Sequence, residues 1–367
     1  MVISGMMEEM IDWIEDHLFD DFSLKDLGIE LGYSPYYCSF KFHQLAGMSM
    51  KRYMSLRRIY LSSLELKNTD KRTIDLALEY GFSSQEAFTR AFKSTFGMSP
   101  KQFRKNPQPL QPYVKLNINN IKGGVIVDIS QKLKIESLQN KMYEQYDEDI
   151  LNILNGQMMY EEFYKHQLMG KSDYVPFNEA MCANDTCEAI FSDEFNELRA
   201  SGHQVSLQDY KNITIHALKP LFEKQYKCIV LWFGNDMFCQ MNMLTVLAYL
   251  EETGYNGKVY FNMVNEITYE VEEKEISSVG FKEIYKQVLI NHSIPEATVM
   301  PVMFQGIKLY LEYLKEENEI TAYIKKHTGK SQNEMLKQLF HLFPQYGLGD
   351  TQYIKIINKI EEAQGMS

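Results

Sequence analysis

Apolar residues recur at three- and four-residue spacing through Ala87, Phe88, Ala91, Phe92 and Phe96, the period of one helix face. Gln85, Glu86, Thr89, Arg90 and Lys93 fall off that stripe. Gly81-Phe82-Ser83 before it reads as a turn, with Ser83 as N-cap and Glu86 at capping-box spacing. Gly97-Met98-Ser99-Pro100 ends the helix. Long polar side chains in the first turns of a helix with an apolar back are what a major groove requires of its reader.

The pattern has an echo. Gly32-Tyr33-Ser34-Pro35 matches Gly81-Phe82-Ser83-Ser84, and Leu27-Gly28 matches Leu76-Ala77, at an offset of 49 residues. Phe42 to Lys51 matches Phe92 to Lys101 at an offset of 50. Two helix-turn-helix copies are expected, with one extra residue in the second recognition helix. Residues 49–67 lack Gly and Pro and predict a long joining helix. Upstream, residues 5–19 predict a helix with Met7, Ile11, Ile14 and Leu18 inside and Glu8, Glu9, Asp12, Glu15 and Asp16 on a solvated face. Ser23 caps the next helix, with Asp26 at capping-box spacing, and Ser34-Pro35 starts the first recognition helix. There Tyr37, Cys38 and Phe42 are expected inside, and Tyr36, Ser39 and Lys41 outside.

On these residues the region 5–107 resembles the DNA-binding domain of AraC/XylS-type bacterial transcriptional regulators. The resemblance is carried by Gly81-Phe82-Ser83, Phe88 to Lys93, Phe96-Gly97, Ser99-Pro100 and Phe103-Arg104. It implies two helix-turn-helix motifs reading adjacent major grooves of double-stranded DNA, and homodimers. Base-edge candidates are Tyr36, Ser39, Phe40, Gln85, Glu86, Thr89 and Arg90. Arg90 is the strongest, since its fork takes both acceptors of a guanine. Glu86 is as well explained as a capping partner, Gln85 as a solvated residue, and Arg90 as a phosphate contact. Lys41, Lys51, Arg52, Lys93, Lys101 and Arg104 are phosphate candidates or plain surface. Phe40 departs from the family, which usually has an arginine there. The first motif is therefore expected to make fewer hydrogen bonds to bases.

Pro107, Pro109 and Pro112 predict a stiff linker. The expected organisation is multidomain: an all-α double helix-turn-helix domain at 1–106, a linker at 107–112, and an α/β domain with a helical tail at 113–367, the tail forming a helical subdomain over 281–367. Strands are expected at Lys115–Asn120 and Gly124–Ile129, helices at 133–156, 158–167 and 206–225. The apolar run Cys228–Phe233, a helix near 237–253 and the strand Lys258–Val264 make a βαβ unit. This part is also similar to a bacterial α/β family of unknown function, through Glu179, Arg199 and Leu231–Phe238.

Ligands in open α/β sheets sit beyond the carboxyl ends of strands. Glu179, Arg199, Asn235, Asp236 and Gln240 are the pocket candidates for a small-molecule effector, with Asp185, His203 and Asn242 among the polar residues near them, although Asn235 or Asp236 is better read as an ordinary helix cap. The sequence shows no Gly-rich phosphate loop, GxSxG, HExxH or metal-ligand spacing, so no catalytic residue, metal or cofactor is assigned and a non-enzyme is expected. The alternative is a DNA-tethered enzyme built on Asp236 and Glu179.

The net charge of −11 alters this picture only until it is divided. Residues 1–107 hold 14 Lys/Arg and 14 Asp/Glu, and residues 31–107 hold 13 against 5. A basic segment on an acidic body suits a DNA binder. Five cysteines without CxxC spacing, an acidic helical start and no apolar run long enough for a membrane predict a cytoplasmic protein with reduced thiols.

Overall fold

The computed structural model describes residues 2–20, 22–116, 129–264 and 271–363. The chain divides into two compact units. One comprises Met1–Gly123, Lys315–Pro344 and Leu348–Ser367; the other comprises Gly124–Leu314 and Gln345–Gly347.

The first unit opens with α1 (Val2–Asp16), α2 (Leu24–Leu31), α3 (Pro35–Ala46), α4 (Met50–Asn68), α5 (Thr73–Glu79), α6 (Gln85–Phe96) and α7 (Pro100–Lys105). Its apolar faces form two cores. One gathers Met7, Ile14, Leu27 and Phe42; the other gathers Leu76, Phe88, Phe92, Phe96 and Phe103. The long helix α4 serves both, giving Met54 to the first and Ile59 and Leu66 to the second.

The two α–turn–α segments repeat each other in backbone detail. Tyr33 N donates to Gly28 O at 2.9 Å, and Phe82 N donates to Ala77 O at 2.8 Å. Gly32 and Gly81 both take φ +71°. Both following helices have 12 residues and end on a left-handed glycine, Gly47 or Gly97. The extra residue of the second copy therefore lies in the turn, not in the helix. It is also why the N-cap is Ser84, whose hydroxyl accepts from Ala87 N, rather than Ser83.

Two further expectations are corrected. Tyr37 is at the surface, packed on Tyr33 with ring centroids 5.2 Å apart. Glu15 is not solvated: Arg57 Nη2 lies 2.6 Å from its Oε2, and Tyr53 donates to its Oε1 at 2.5 Å. Burial pushes the Glu15 carboxyl up, but these partners outweigh it and hold it below its ordinary range.

The proline-rich segment lies against the first unit. Pro109 and Pro112 are buried, Arg57 Nη1 donates to Tyr113 O at 2.6 Å, and Leu116 N donates to Tyr53 Oη at 3.3 Å. Lys115 and Leu116 are not in a strand. The expected strand Gly124–Ile129 falls on residues 124–128, which lie outside the described residues, as do 117–120; Ile129 begins a helix.

The second unit continues with α8 (Ile129–Tyr146), β1 (Ile150–Leu154), α9 (Gly156–Lys165), β2 (Asp173–Pro176), α10 (Asp193–His203), α11 (Leu207–Tyr210), a π-helical turn at Lys211–Ile215 and α12 (Lys219–Glu223). Then come β3 (Cys228–Phe233), α13 (Met237–Glu252), β4 (Lys258–Val264), β5 (Val271–Ile276), α14 (Phe281–Tyr285) and α15 (Pro301–Tyr313). The five strands form one sheet in the order β2-β1-β3-β4-β5, parallel except for β5. The β3-α13-β4 unit is as expected. Strands β1, β2 and β5 are not among the expected elements, and β1 lies where the sequence predicts the end of the helix 133–156. Helix α13 is buried on nearly every side and packs against α14 and α15.

The chain returns to the first unit with α16 (Glu319–Lys326), α17 (Gln332–Leu342) and α18 (Asp350–Ala363). These tail helices, expected within the α/β part, group instead with the N-terminal helices. Capping boxes at Asn318 and Ser331 start α16 and α17.

Candidate functional site

On α6 the apolar stripe is sealed, with Phe88, Phe92 and Phe96 fully buried. Gln85, Glu86, Arg90 and Lys93 are exposed on the other side, and Thr89 is half-buried. Hydrogen bonds from its own amide and from Ser84, with Arg90 nearby, hold the Glu86 carboxyl below its ordinary range. Glu86 is thus an ionised residue at a helix N-terminus.

Helix α3 presents a different surface. Counting from the N-caps Ser34 and Ser84, Phe40 stands where Arg90 stands and Ser39 where Thr89 stands. Tyr36 is 80% exposed, and Phe40 is 39% exposed with its ring stacked on Tyr36. Ser39 is exposed. Lys41 Nζ donates to Gln44 Oε1 at 3.1 Å and lies over the Tyr37 and Phe40 rings.

Lys51, Arg52 and Lys101 are exposed. Arg104 instead donates from Nη2 to Lys71 O at 2.6 Å. Sequence reasoning missed Arg58. Its guanidinium donates to Leu18 O, to Asp20 O at 3.1 Å and to Gly81 O at 3.4 Å, joining the end of α1 to the second turn. Nothing in the pair Arg57-Arg58 marked one as a core ion pair and the other as a clamp.

In the second unit, Glu179 and Arg199 come together; Asn235, Asp236 and Gln240 do other things. Arg199 Nη2 lies 2.6 Å from Glu179 Oε1, with neither side chain exposed. Arg199 also donates to the carbonyls of Ala180, Ala183, Asn184 and Asp185 at 2.7–3.1 Å. Glu179 further accepts from Tyr210 Oη at 2.7 Å and Ala180 N at 2.7 Å, and His203 Nε2 lies 2.6 Å from its Oε1. Burial pushes the Glu179 carboxyl up, but Arg199 and His203 outweigh it and hold it far below the usual range. Asp236 is the N-cap of α13, accepting from Cys239 N at 2.8 Å, and burial raises its pKa. Gln240 Nε2 donates to Gly234 O at 2.7 Å, while its Oε1 and Asn235 Nδ2 are buried without partners.

A cleft of about 340 Å³ opens beside this network. Its floor comes from residues just after β1 (Gln157), β2 (Phe177, Asn178) and β3 (Phe238). From β1 the chain passes to β2 on one side and to β3 on the other, so the cleft lies at the switch in strand order, where open α/β sheets take their ligands. His203, Tyr210 and Ile213 close it, the last from the π-helical turn. Such turns concentrate at functional sites. The lining is mostly apolar, contains no Lys or Arg, and includes only Glu179 from the pocket candidates. Among the described residues no group of three His, Cys, Asp or Glu side chains is placed to hold a metal, and no helix is long and apolar enough to cross a membrane.

Comparison with known proteins concerns the first unit. A family described as "Helix-turn-helix domain" matches residues 27–106. The right origin-binding protein of Escherichia coli is 33% identical over 105 residues, which are 29% of this chain and 36% of that protein. The chain thus spans about a third of that relative's length. The HTH-type transcriptional activator AarP of Providencia stuartii is 36% identical over 101 residues, 28% of this chain and 75% of that protein. Among solved structures, the C-terminal domain of the two-component response regulator yesN from Fusobacterium nucleatum is 28% identical, covering 26% of this chain and 95% of that one, with a TM-score of 0.25. With the repeated glycine turn, the sealed phenylalanine stripe and the polar outer face of α6, the family match over residues 27–106 and the likeness to AarP place the chain in the AraC-type helix-turn-helix family.

Proposed function

We propose that the chain is a sequence-specific DNA-binding transcription regulator in which α2–turn–α3 and α5–turn–α6 are two helix-turn-helix motifs set on adjacent major grooves. The observation that carries this is the outer face of α6, where Gln85, Glu86, Arg90 and Lys93 stand exposed on a helix locked from behind by three buried phenylalanines. The relatives' descriptions as an origin-binding protein and a transcriptional activator favour the same reading. Selection of duplexes from a random pool by the full chain, followed by footprinting, tests it. Protection of two adjacent grooves, roughly 20 base pairs, is expected for two engaged motifs. Protection of one groove would leave α6 as the sole reader, and no enrichment would reject the proposal.

The α/β unit is the sensing part in this reading. Its cleft accepts a small uncharged ligand, since its lining is mostly apolar and offers no Lys or Arg to a phosphate or carboxylate. The enzyme alternative is weaker because its two acids are committed elsewhere: Asp236 caps α13 and Glu179 pairs with Arg199.

A further inference from the structure

Within the first unit the tail meets α3. Lys326 Nζ, at the end of α16, lies 5.2 Å from the centre of the Phe40 ring. The Phe343 ring, just past α17, lies 3.4 Å from where a side chain on Gly47 would begin, at the C-cap of α3. The tail thus approaches α3 at two points. Lys326 is exposed. Its neighbour Lys325 is paired with Glu317, whereas among the described residues no carboxylate is paired with Lys326.

Phe40 occupies in α3 the place that Arg90 occupies in α6. The second motif has its own cation there; the first has an aromatic ring with two ammonium groups over it, that of Lys41 from α3 itself and, nearer the ring centre, that of Lys326 from the tail. An aromatic face attracts a cation without pairing it with a counter-charge, so the exposed Lys326 ammonium is open to an anion. We infer that Lys326 is a DNA-contacting residue, supplying to the first motif, from a tail nearly three hundred residues away in sequence, the positive charge that Arg90 supplies to the second. Its target is the phosphate backbone of duplex DNA, since a single ammonium over a ring carries no bidentate base code. Phe40 acts through Lys326 by positioning it. This inference rests on the DNA-binding reading above.

The test uses the full chain and a 40-base-pair duplex enriched from a random pool, with affinity measured across a salt series. Lys326→Ala is expected to weaken binding roughly threefold to tenfold and to lower the log–log salt slope by about one, on the enriched and on an unrelated duplex alike. Lys326→Arg is expected to keep the slope. Phe40→Ala, which frees the lysine, is expected to give a smaller loss in the same direction. If Arg90→Ala weakens binding while Lys326→Ala changes neither affinity nor slope, the inference fails and the DNA-binding reading stands. If Lys326→Ala tightens binding or lengthens the footprint, the tail covers the first motif instead, and the inference also fails. If the wild-type chain enriches no duplex, both fail.

Discussion

Arg199 and Glu179 face each other with no solvent reaching either side chain, Nη2 2.6 Å from Oε1 and Nε 3.2 Å from Oε2. The pair does more than cancel charge. Through four backbone carbonyls Arg199 fixes the segment after β2, and through Glu179 it orients His203 and Tyr210 at the cleft.

Removing one partner of such a pair leaves an uncompensated buried charge. Glu179→Gln is therefore expected to destabilise the α/β unit by about 3–5 kcal/mol, read as a lower denaturant midpoint at pH 7. The Glu179 carboxyl is depressed in the folded state, so its contribution is complete above the unfolded value of about 4.3 and disappears as pH falls through the folded one. The gap between wild type and Glu179→Gln should hold from pH 7 to pH 5 and close only in stronger acid. A gap that closes near neutrality would mean the depression is absent.

Arg90→Ala is expected to cost roughly 1–3 kcal/mol of DNA binding and to relax preference at one base pair. Repeating duplex selection with the variant reads both. An equal loss on random DNA would assign Arg90 to a phosphate.

Gly32 and Gly81 share one backbone conformation but not one environment. A side chain on Gly32 would meet nothing, whereas one on Gly81 would begin 2.9 Å from Arg58 Nη1. Gly32→Ala should cost only the left-handed strain, about 1–2 kcal/mol. Gly81→Ala should cost about 1 kcal/mol more, because Arg58 must give up hydrogen bonds to move. Equal costs by denaturant unfolding would show that Arg58 does not clamp the turn.

The cleft at the switch in strand order is expected to bind uncharged molecules with an apolar body. In a thermal-shift panel on the full chain, such compounds should raise the melting temperature, and nucleotides and sugar phosphates should not. Ile213→Trp, which fills the mouth of the cleft, should abolish the shift while leaving DNA affinity unchanged. Stabilisation by phosphates alone would place the ligand elsewhere.

The first unit was largely legible because its signals are local. Glycine turns, serine caps and phenylalanines at helical spacing each specify backbone within a few residues. The cap of α6 is off by one residue: Ser83 stands at capping-box spacing from Glu86, but Ser84 caps, because the second turn is one residue longer than the first. The strands were harder. Ile150–Leu154 is five residues long and follows a helix, so its apolar run continues a helical pattern. Val271–Ile276 is mostly charged, as suits a half-buried strand at the sheet edge. Glu179, Arg199 and His203 stand out as polar residues, His203 one helical turn beyond Arg199 on α10, but Tyr210 reaches them only through the turn of the chain after α10. The tail's helices were found, but an amphipathic face does not name its partner, so their grouping with the N-terminal helices could not be read.

That grouping has a consequence for how the protein is made. The first unit is interrupted by Gly124–Leu314, so its last helices leave the ribosome only after the whole α/β segment. At about 5–20 residues per second, the N-terminal helices wait roughly 10–40 seconds for α16 and Lys326. During that interval the nascent chain displays α6 with its arginine while α3 still lacks the lysine that lies over Phe40. The aromatic surface of Tyr36 and Phe40 is then most open to a chaperone or to a second nascent chain, and truncation before residue 319 would make that exposure permanent.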